Sequence, residues 1–136
     1  MATTLPRSPV DTAKALYAAF GRGDIPAALE IFHPDVEWRF FAPPEIPYAG
    51  PRRGRAGMAE FFRILGSSVD VLAFSVDEIL PAGDHVVATG HEKDRVKATG
   101  KVAEVDWVHL ITVRDGKIAR MREWYDTATM AKAYAR

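Results

Sequence analysis

The sequence predicts an α+β fold, with helices on one side of a mostly antiparallel sheet. Apolar residues in the first third of the chain recur at helical spacing, whereas residues 69–126 form four long segments of strand-like character separated by turn residues. The dipeptide Asp115-Gly116, a strong hairpin signal, joins the last two of these segments. Helices segregated in sequence from strands joined by short turns are typical of α+β proteins.

Two short helices are predicted at the start of the chain. The first begins at Ser8, a capping residue, with Pro9 at its first helical position, and it ends at Gly21. Asp24 is predicted to cap the second helix, and Pro34 to end it. The two helices are therefore joined by a tight turn.

The middle of the chain is predicted to be a strand, a long loop and a third helix. Residues 36–41 alternate as a strand does, and residues 56–65 carry apolar side chains at helical spacing. Residues 42–55 contain four prolines and two glycines, which predicts an irregular loop. The remaining predicted elements are strands at 69–80, 85–96, 102–114 and 117–126, and a helix at 127–134.

Composition limits the domain organisation and the function classes. The 136 residues predict one domain, 1–136, with a core at about 10–134 and a flexible start at 1–8. The absence of cysteine excludes disulfides and thiolate chemistry. Eighteen basic and eighteen acidic residues give zero net charge, so neither nucleic acid nor a membrane surface is expected as a partner. No membrane-length apolar run or secretory signal is visible, which predicts a cytoplasmic location.

Four segments together resemble a known family. They are residues 48–55 (YAGPRRGR), 106–109 (DWVH), 114–118 (RDGKI) and 122–128 (REWYDTA). The chain resembles the SnoaL-like family of the nuclear transport factor two and ketosteroid isomerase superfamily, over nearly its whole length. The resemblance implies a cone, in which a strongly curved sheet wraps three helices around a deep apolar pocket. Family members include isomerases, polyketide cyclases, dehydratases, epoxide hydrolases and proteins without known activity, so fold alone does not assign function.

Glu123 and His109 are the first two candidate catalytic residues. By the resemblance, Glu123 faces the pocket, where limonene epoxide hydrolases place an aspartate. Hairpin register places His109 near the position at which ketosteroid isomerases carry their oxyanion-binding acid. A buried carboxylate suits a general acid or base. The structural alternatives are an ion pair of Glu123 with a nearby arginine and a core histidine bonded to a backbone carbonyl.

Glu92 is the third catalytic candidate. Gly90 and Glu92 match positions where the epoxide hydrolases place an arginine and an aspartate, and because Gly90 is not an arginine, epoxide hydrolysis does not carry over simply. A register change of one residue would bring His91 into the pocket in place of Glu92.

The ketosteroid isomerase apparatus is incomplete in this sequence. The position of the isomerase base on the first strand is occupied by Phe40. The position of its oxyanion tyrosine matches Leu16, with Tyr17 adjacent. Steroid isomerisation by that apparatus is therefore not expected.

Aromatic and apolar side chains are predicted to form the pocket wall, which suits a flat apolar or aromatic ligand. The alternative is an ordinary core position for most of them, and for Tyr48 it is a surface aromatic side chain that packs on the loop. The loop position of Tyr48 predicts that it folds over the mouth. The predicted wall consists of Tyr17, Trp38, Phe40, Tyr48, Phe61, Trp107, Met121 and Tyr125.

No metal or other cofactor is predicted. The four histidines have no i, i+4 pairing and no cysteine support. Arg52, Arg53 and Arg55 form a small basic cluster, which could bind an anionic group, pair with a carboxylate or be a solvated surface.

Two function hypotheses follow. The first is a cofactor-free acid–base enzyme of the isomerase, polyketide cyclase, dehydratase or epoxide hydrolase type, acting on a small hydrophobic molecule. The second is a non-catalytic binding or dimerisation module of the same fold. The resemblance also implies a homodimer through the outer sheet face, where Val108, Leu110, Arg122 and Trp124 would lie.

Overall fold

The computed structural model describes residues 7–136. Most of the predicted flexible start, 1–8, therefore lies outside the described residues. The elements in chain order are α1 (Pro9–Gly21), α2 (Ile25–Ile31), β1 (Phe32–Phe40), β2 (Gly50–Arg53), α3 (Gly54–Ser68), β3 (Val69–Ala82), β4 (His85–Val96), β5 (Val102–Arg114), β6 (Lys117–Tyr125) and α4 (Thr127–Tyr134).

Short polar side chains cap three of the helices, and the two caps predicted for the first helices are confirmed. Ser8 Oγ accepts a hydrogen bond from the backbone N–H of Asp11 at 3.1 Å. Asp24 caps α2 in the same way, through the N–H of Ala27 at 3.1 Å. Asp126 caps α4. Each cap satisfies a helix-end donor that would otherwise lack a partner.

The strands form one curved, unclosed sheet in the order β2-β1-β6-β5-β4-β3. Only the β1–β6 pair is parallel, and the other neighbours are antiparallel. Register shifts occur within the β1–β6, β3–β4 and β5–β6 pairs. Such bulges increase local twist and bend a sheet. The predicted α+β class is confirmed.

The hairpin between β5 and β6 has the turn that its sequence predicts. Asp115 has φ 56° and Gly116 has φ 72°. Two successive residues with positive φ are the signature of a type I′ turn, whose twist matches that of the flanking strands. This turn fixes the register that places β5 residues opposite β6 residues.

The prediction that residues 42–55 are entirely irregular is wrong. Gly50–Arg53 forms β2, which pairs with β1 at the edge of the sheet. Pro51 is tolerated there because an edge strand has an N–H position that needs no partner. The first strand also starts earlier than predicted, at Phe32, because α2 passes directly into β1. Similarly, α3 begins at Gly54, two residues before the predicted start.

The core lies between the helices and the concave face of the sheet. Alternate residues of β5 are buried, as a strand with one covered face requires. The same alternation holds along β4 and most of β6. The inward residues of β5 are Ala103, Val105, Trp107, His109, Ile111 and Val113.

Candidate functional site

An internal cavity lies between the concave face of the sheet and the helices α1 and α3. Its volume is about 50 Å³, which is room for a few water molecules, since one water needs about 10–15 Å³ on this measure. All the predicted site residues except Trp107 line it. The lining is predominantly aromatic and apolar, and its ionisable carboxylate and imidazole groups are Glu92, His109 and Glu123.

Tyr17, His109 and Glu123 form one continuous line of polar groups beside the cavity. His109 and Glu123 are direct partners in the β5–β6 register. The Tyr17 hydroxyl lies 2.8 Å from Nδ1 of His109. On the other side of the ring, Nε2 lies 3.1 Å from Oε1 of Glu123, although the geometry falls short of a well-aligned hydrogen bond. The structure thus brings together the two leading catalytic candidates.

Burial of Tyr17 keeps its hydroxyl group protonated. Burial, with a smaller contribution from the Glu123 carboxylate, raises the pKa of Tyr17 well above its usual range. The phenol therefore keeps its proton at neutral pH. The Tyr17 hydroxyl and Nδ1 of His109 share one hydrogen bond, whose direction depends on the imidazole tautomer.

Glu92 and Asp94 form a buried carboxyl pair on β4. Glu92 is 7% exposed and Asp94 is fully buried. Burial raises the pKa of Glu92 well above its ordinary value, and the neighbouring Asp94 and then Glu123 add to the rise. Burial likewise raises the pKa of Asp94, partly opposed by Glu92. Neither Asp94 oxygen has a well-formed hydrogen bond within residues 7–136, so the pair favours holding a proton.

Asp94 is a site residue that the sequence reasoning missed. It lies two residues after Glu92 on the same strand and so points to the same face. The alternation that selected Glu92 could therefore also have selected Asp94. It does not line the cavity itself but lies beside a group that does.

The Glu92→Gln variant is expected to lose less stability than the wild type as pH rises. The folded state raises the pKa of Glu92 above its ordinary 4.5. The folded protein therefore binds this proton more tightly than the unfolded chain does. The resulting stabilisation is complete below about pH 4.5 and is lost as pH rises towards the folded pKa.

Urea unfolding at a series of pH values measures this effect. The difference in unfolding free energy between Glu92→Gln and wild type should grow with pH, by at most about 1.4 kcal/mol per pH unit. Glu104→Gln, a change at an exposed residue of β5, is the matched control. If the unfolding free energies of Glu92→Gln and wild type change in parallel with pH, the raised pKa of Glu92 in the folded protein is contradicted.

The structure places His91 outside and Glu92 inside, so the alternative register that would bring His91 into the site is wrong. His91 Nδ1 lies 3.0 Å from Oδ1 of Asp106, and its side chain is 41% exposed. Glu92 pairs with Val105, another inward residue. The β4–β5 register thus fixes which polar side chain reaches the cavity.

Gly90 leaves space for the indole ring of Trp107, which lies next to His109. Trp107 is paired with Gly90 across β4 and β5, and its ring is stacked between those of Phe74, at 5.2 Å, and His109, at 4.2 Å. A Cβ at residue 90 would lie 2.1 Å from both a Trp107 ring carbon and the Ser75 carbonyl oxygen. In the sequence, Gly90 was notable only because the epoxide hydrolases have an arginine at this position. In the structure, the absence of a side chain at Gly90 leaves space for the Trp107 ring, which stacks on His109.

Tyr48 lies inside the protein and not on the surface of the proline-rich loop. It is 1% exposed, and its hydroxyl is 2.9 Å from that of Tyr125. Phe40 packs edge-on against Tyr125 at 4.7 Å. This cluster, with Trp38 and Phe61, closes one end of the cavity.

The partly exposed part of the cavity lining consists of residues that the sequence reasoning did not select as pocket residues. Phe20, Phe62, Leu65 and Phe74 line the cavity and are half-buried. Phe20 is one helical turn after Tyr17, and Phe62 and Leu65 lie beside Phe61 on α3, so helical spacing was the available signal. We refer to these four residues as the mouth.

Residues 7–136 contain neither a candidate metal site nor a candidate membrane-spanning helix. No cluster of three or more histidine, aspartate or glutamate side chains in this range is arranged to hold a metal ion. No helix among the described residues is long and apolar enough to cross a membrane. The cytoplasmic location stays a prediction.

Comparison with known proteins identifies the family. Residues 13–121 match the SnoaL-like domain. The chain belongs to the SnoaL-like family. An uncharacterised protein of Mycobacterium tuberculosis strain H37Rv is 29% identical to this SnoaL-like chain over 117 residues, which are 85% of this chain and 87% of the relative.

Solved structures share the fold of this SnoaL-like protein along nearly its whole length. An NTF2-like protein of Burkholderia xenovorans is 34% identical, covers 93% of this chain and 95% of its own, and has a TM-score of 0.84. TerC, co-crystallised with polyporic acid, is 32% identical, covers 93% and 98% of the two chains, and has a TM-score of 0.82.

Proposed function

We propose that the protein performs acid–base chemistry on a small apolar or aromatic molecule, using its own side chains and no cofactor. The observation that supports this proposal is the convergence of Tyr17, His109, Glu123 and Glu92 on one largely apolar cavity. Titratable groups in different environments around one cavity are typical of acid–base sites. Isomerisation, cyclisation, dehydration and epoxide opening are the reaction types within reach of such a set.

Glu123 is proposed as the group that takes a proton from the ligand. Its carboxylate lies 3.1 Å from Nε2 of His109, and the Tyr17 hydroxyl contacts the other ring nitrogen, Nδ1. Glu92 is proposed as the proton donor, because burial raises its pKa and so favours its protonated form. His109 is proposed to carry a proton on Nε2, which has no well-aligned hydrogen-bond partner within residues 7–136, and to donate a hydrogen bond from it to negative charge that develops on a ligand oxygen.

The ligand is proposed to be aromatic. The cavity walls are aromatic on several sides, and the similar protein TerC was crystallised with polyporic acid. A ring-sized ligand needs more than the observed 50 Å³. We propose that the half-buried side chains of the mouth move apart to admit it, because they are the least enclosed part of the lining.

Deuterium exchange tests catalysis without knowledge of the natural substrate. Wild-type protein is incubated in D₂O with 2-tetralone, an aromatic ketone with acidic C–H bonds, and exchange is followed by NMR. Polyporic acid is titrated in parallel, with tryptophan fluorescence as the readout, because Trp38 lines the cavity. We expect saturable binding and exchange faster than in buffer.

Two outcomes would limit or overturn the proposal. Saturable binding with exchange at the buffer rate across a panel of aromatic carbonyl compounds would favour the non-catalytic binding module. Exchange that polyporic acid fails to inhibit would place the chemistry outside this cavity.

We also propose a homodimer through the outer sheet face. Trp124 is 37% and Val108 is 40% exposed, and they are direct register partners on neighbouring strands, so they form one apolar patch on the outer face. Sedimentation velocity of the wild type and of Trp124→Glu tests this proposal. A dimer that the substitution does not weaken would contradict it.

A further inference from the structure

Five arginines line a groove at the sheet edge formed by β2, β1 and β6, and all of them except Arg52, which lies opposite the inward Trp38, project from the outer face. The groove has one acidic lining residue, Glu37, so its charge is strongly positive although the chain as a whole is neutral. It lies on the opposite side of the sheet from the internal cavity, since Arg39 and Arg122 alternate with the inward residues Phe40 and Glu123. The arginines are Arg39, Arg52, Arg53, Arg120 and Arg122.

The basic cluster expected from the sequence is only partly present here. Arg55 points elsewhere and donates to the Phe32 carbonyl at 2.9 Å. Arg52 pairs with Glu60 at 3.0 Å, and Arg53 pairs with Glu37 at 2.9 Å. The groove therefore gains its unpaired charge from β1 and β6, which the sequence did not place next to Arg52 and Arg53.

Arg39 and Arg122 are the critical pair. They are direct register partners on the parallel strands β1 and β6, where like charges repel. Within residues 7–136, neither they nor Arg120 form an ion pair with a carboxylate. In the same range, Nε of Arg122 is buried without a hydrogen-bond partner, and such a buried donor calls for a ligand or an explanation.

Aromatic rings hold one of these guanidinium groups in place. The Arg39 guanidinium carbon is 4.7 Å from the centre of the Phe41 ring. Phe41 is in turn stacked on Trp124 at 4.9 Å with nearly parallel planes. This cation–π contact orients Arg39 without neutralising its charge. Arg39 is thus held on the outer face of β1, on the strand next to that of Arg122.

We propose that this groove is a binding site for a small oxyanion, a phosphate or a dicarboxylate, bridged by Arg39 and Arg122. A guanidinium group presents a planar fork that matches the oxygens of carboxylate and phosphate. A bound anion would also remove the repulsion between the two side chains. No step of the proposed catalysis uses the groove, so this proposal is independent of the catalytic one. A homodimer that covered Trp124 would also cover the Arg39–Phe41 contact, because Phe41 is stacked on Trp124.

The test uses the full-length protein with inorganic phosphate and malonate as separate probes, at constant ionic strength balanced with chloride. NMR signals of the arginine Nε–H groups are followed in wild type, Arg122→Gln and Arg39→Gln. Arg114→Gln, a change at an exposed residue of β5, is the matched control. We expect saturable shifts in wild type and control, and at least tenfold weaker binding in the other two variants. The stronger probe identifies the anion class.

Thermal unfolding without an added anion shows whether each variant is folded, so that weaker anion binding can be distinguished from a folding defect. Removing one of two repelling charges should leave the melting temperature of Arg122→Gln unchanged or higher. Equal phosphate affinity in wild type and Arg122→Gln, or equal effects of chloride and phosphate, would overturn the proposal. So would loss of self-association in Arg122→Gln with no anion titration in wild type, because the arginines would then bind carboxylates of a second copy.

Discussion

Replacing Gly90 with alanine is expected to destabilise the protein by at least about 3 kcal/mol or to prevent folding. The new methyl group would lie 2.1 Å from a Trp107 ring carbon and from the backbone oxygen of Ser75. Neither neighbour can yield easily, because Trp107 is 1% exposed and Ser75 belongs to the paired strand β3. Urea unfolding followed by circular dichroism measures the loss.

Gly66→Ala is the matched control for this substitution. Gly66 lies within α3, and a methyl group there would meet nothing within 4 Å. Alanine in a helix should stabilise the protein by up to about 1 kcal/mol. If Gly90→Ala is as stable as Gly66→Ala, the claim that Trp107 packs too closely on Gly90 to admit a methyl group is contradicted.

Glu123→Gln is expected to abolish most of the proposed proton exchange while preserving ligand binding. Glutamine has the same shape but cannot take up a proton, and a positioned general base contributes about 10²–10⁴-fold to rate. Deuterium exchange into saturating 2-tetralone measures the catalytic rate, and polyporic acid titration measures binding. We expect the exchange rate to fall by at least about 100-fold with little change in affinity.

Two variants define the specificity of that loss. Glu104→Gln, at an exposed residue on the outer side of β5, should retain the full exchange rate. Tyr17→Phe removes the hydroxyl that holds Nδ1 of His109, and we expect an intermediate rate. An unchanged rate in Glu123→Gln would assign the base to another residue.

Alternation along strands predicted the inward faces of β5 and β6 correctly. His109 and Glu123 were both expected on the inner face, and the Asp115-Gly116 turn brings them into direct register. The signal worked because β5 and β6 each have one covered face, so polar and apolar positions must alternate. A polar residue at an inward position then stands out against its neighbours.

Contacts between segments that are distant in the sequence were harder to predict. Nothing local to Tyr17 indicates a partner 92 residues away, and the packing of α1 against β5 decides that contact. The role of Gly90 likewise depends on the ring of Trp107 on the next strand. The strand at Gly50–Arg53 was missed because its proline and glycine content normally marks loops, and only its edge position makes it possible.

The central claim is that Glu123 handles a proton of a ligand bound in the internal cavity. A crystal structure of Glu123→Gln with bound 2-tetralone tests it most directly, through the distance from the residue 123 side-chain oxygen to the exchanging carbon. The claim predicts that the ligand lies in the cavity behind the mouth residues Phe20, Phe62, Leu65 and Phe74, and that this distance is about 3–3.5 Å. A ligand bound outside the cavity, or one whose exchanging carbon points away from residue 123, would contradict it.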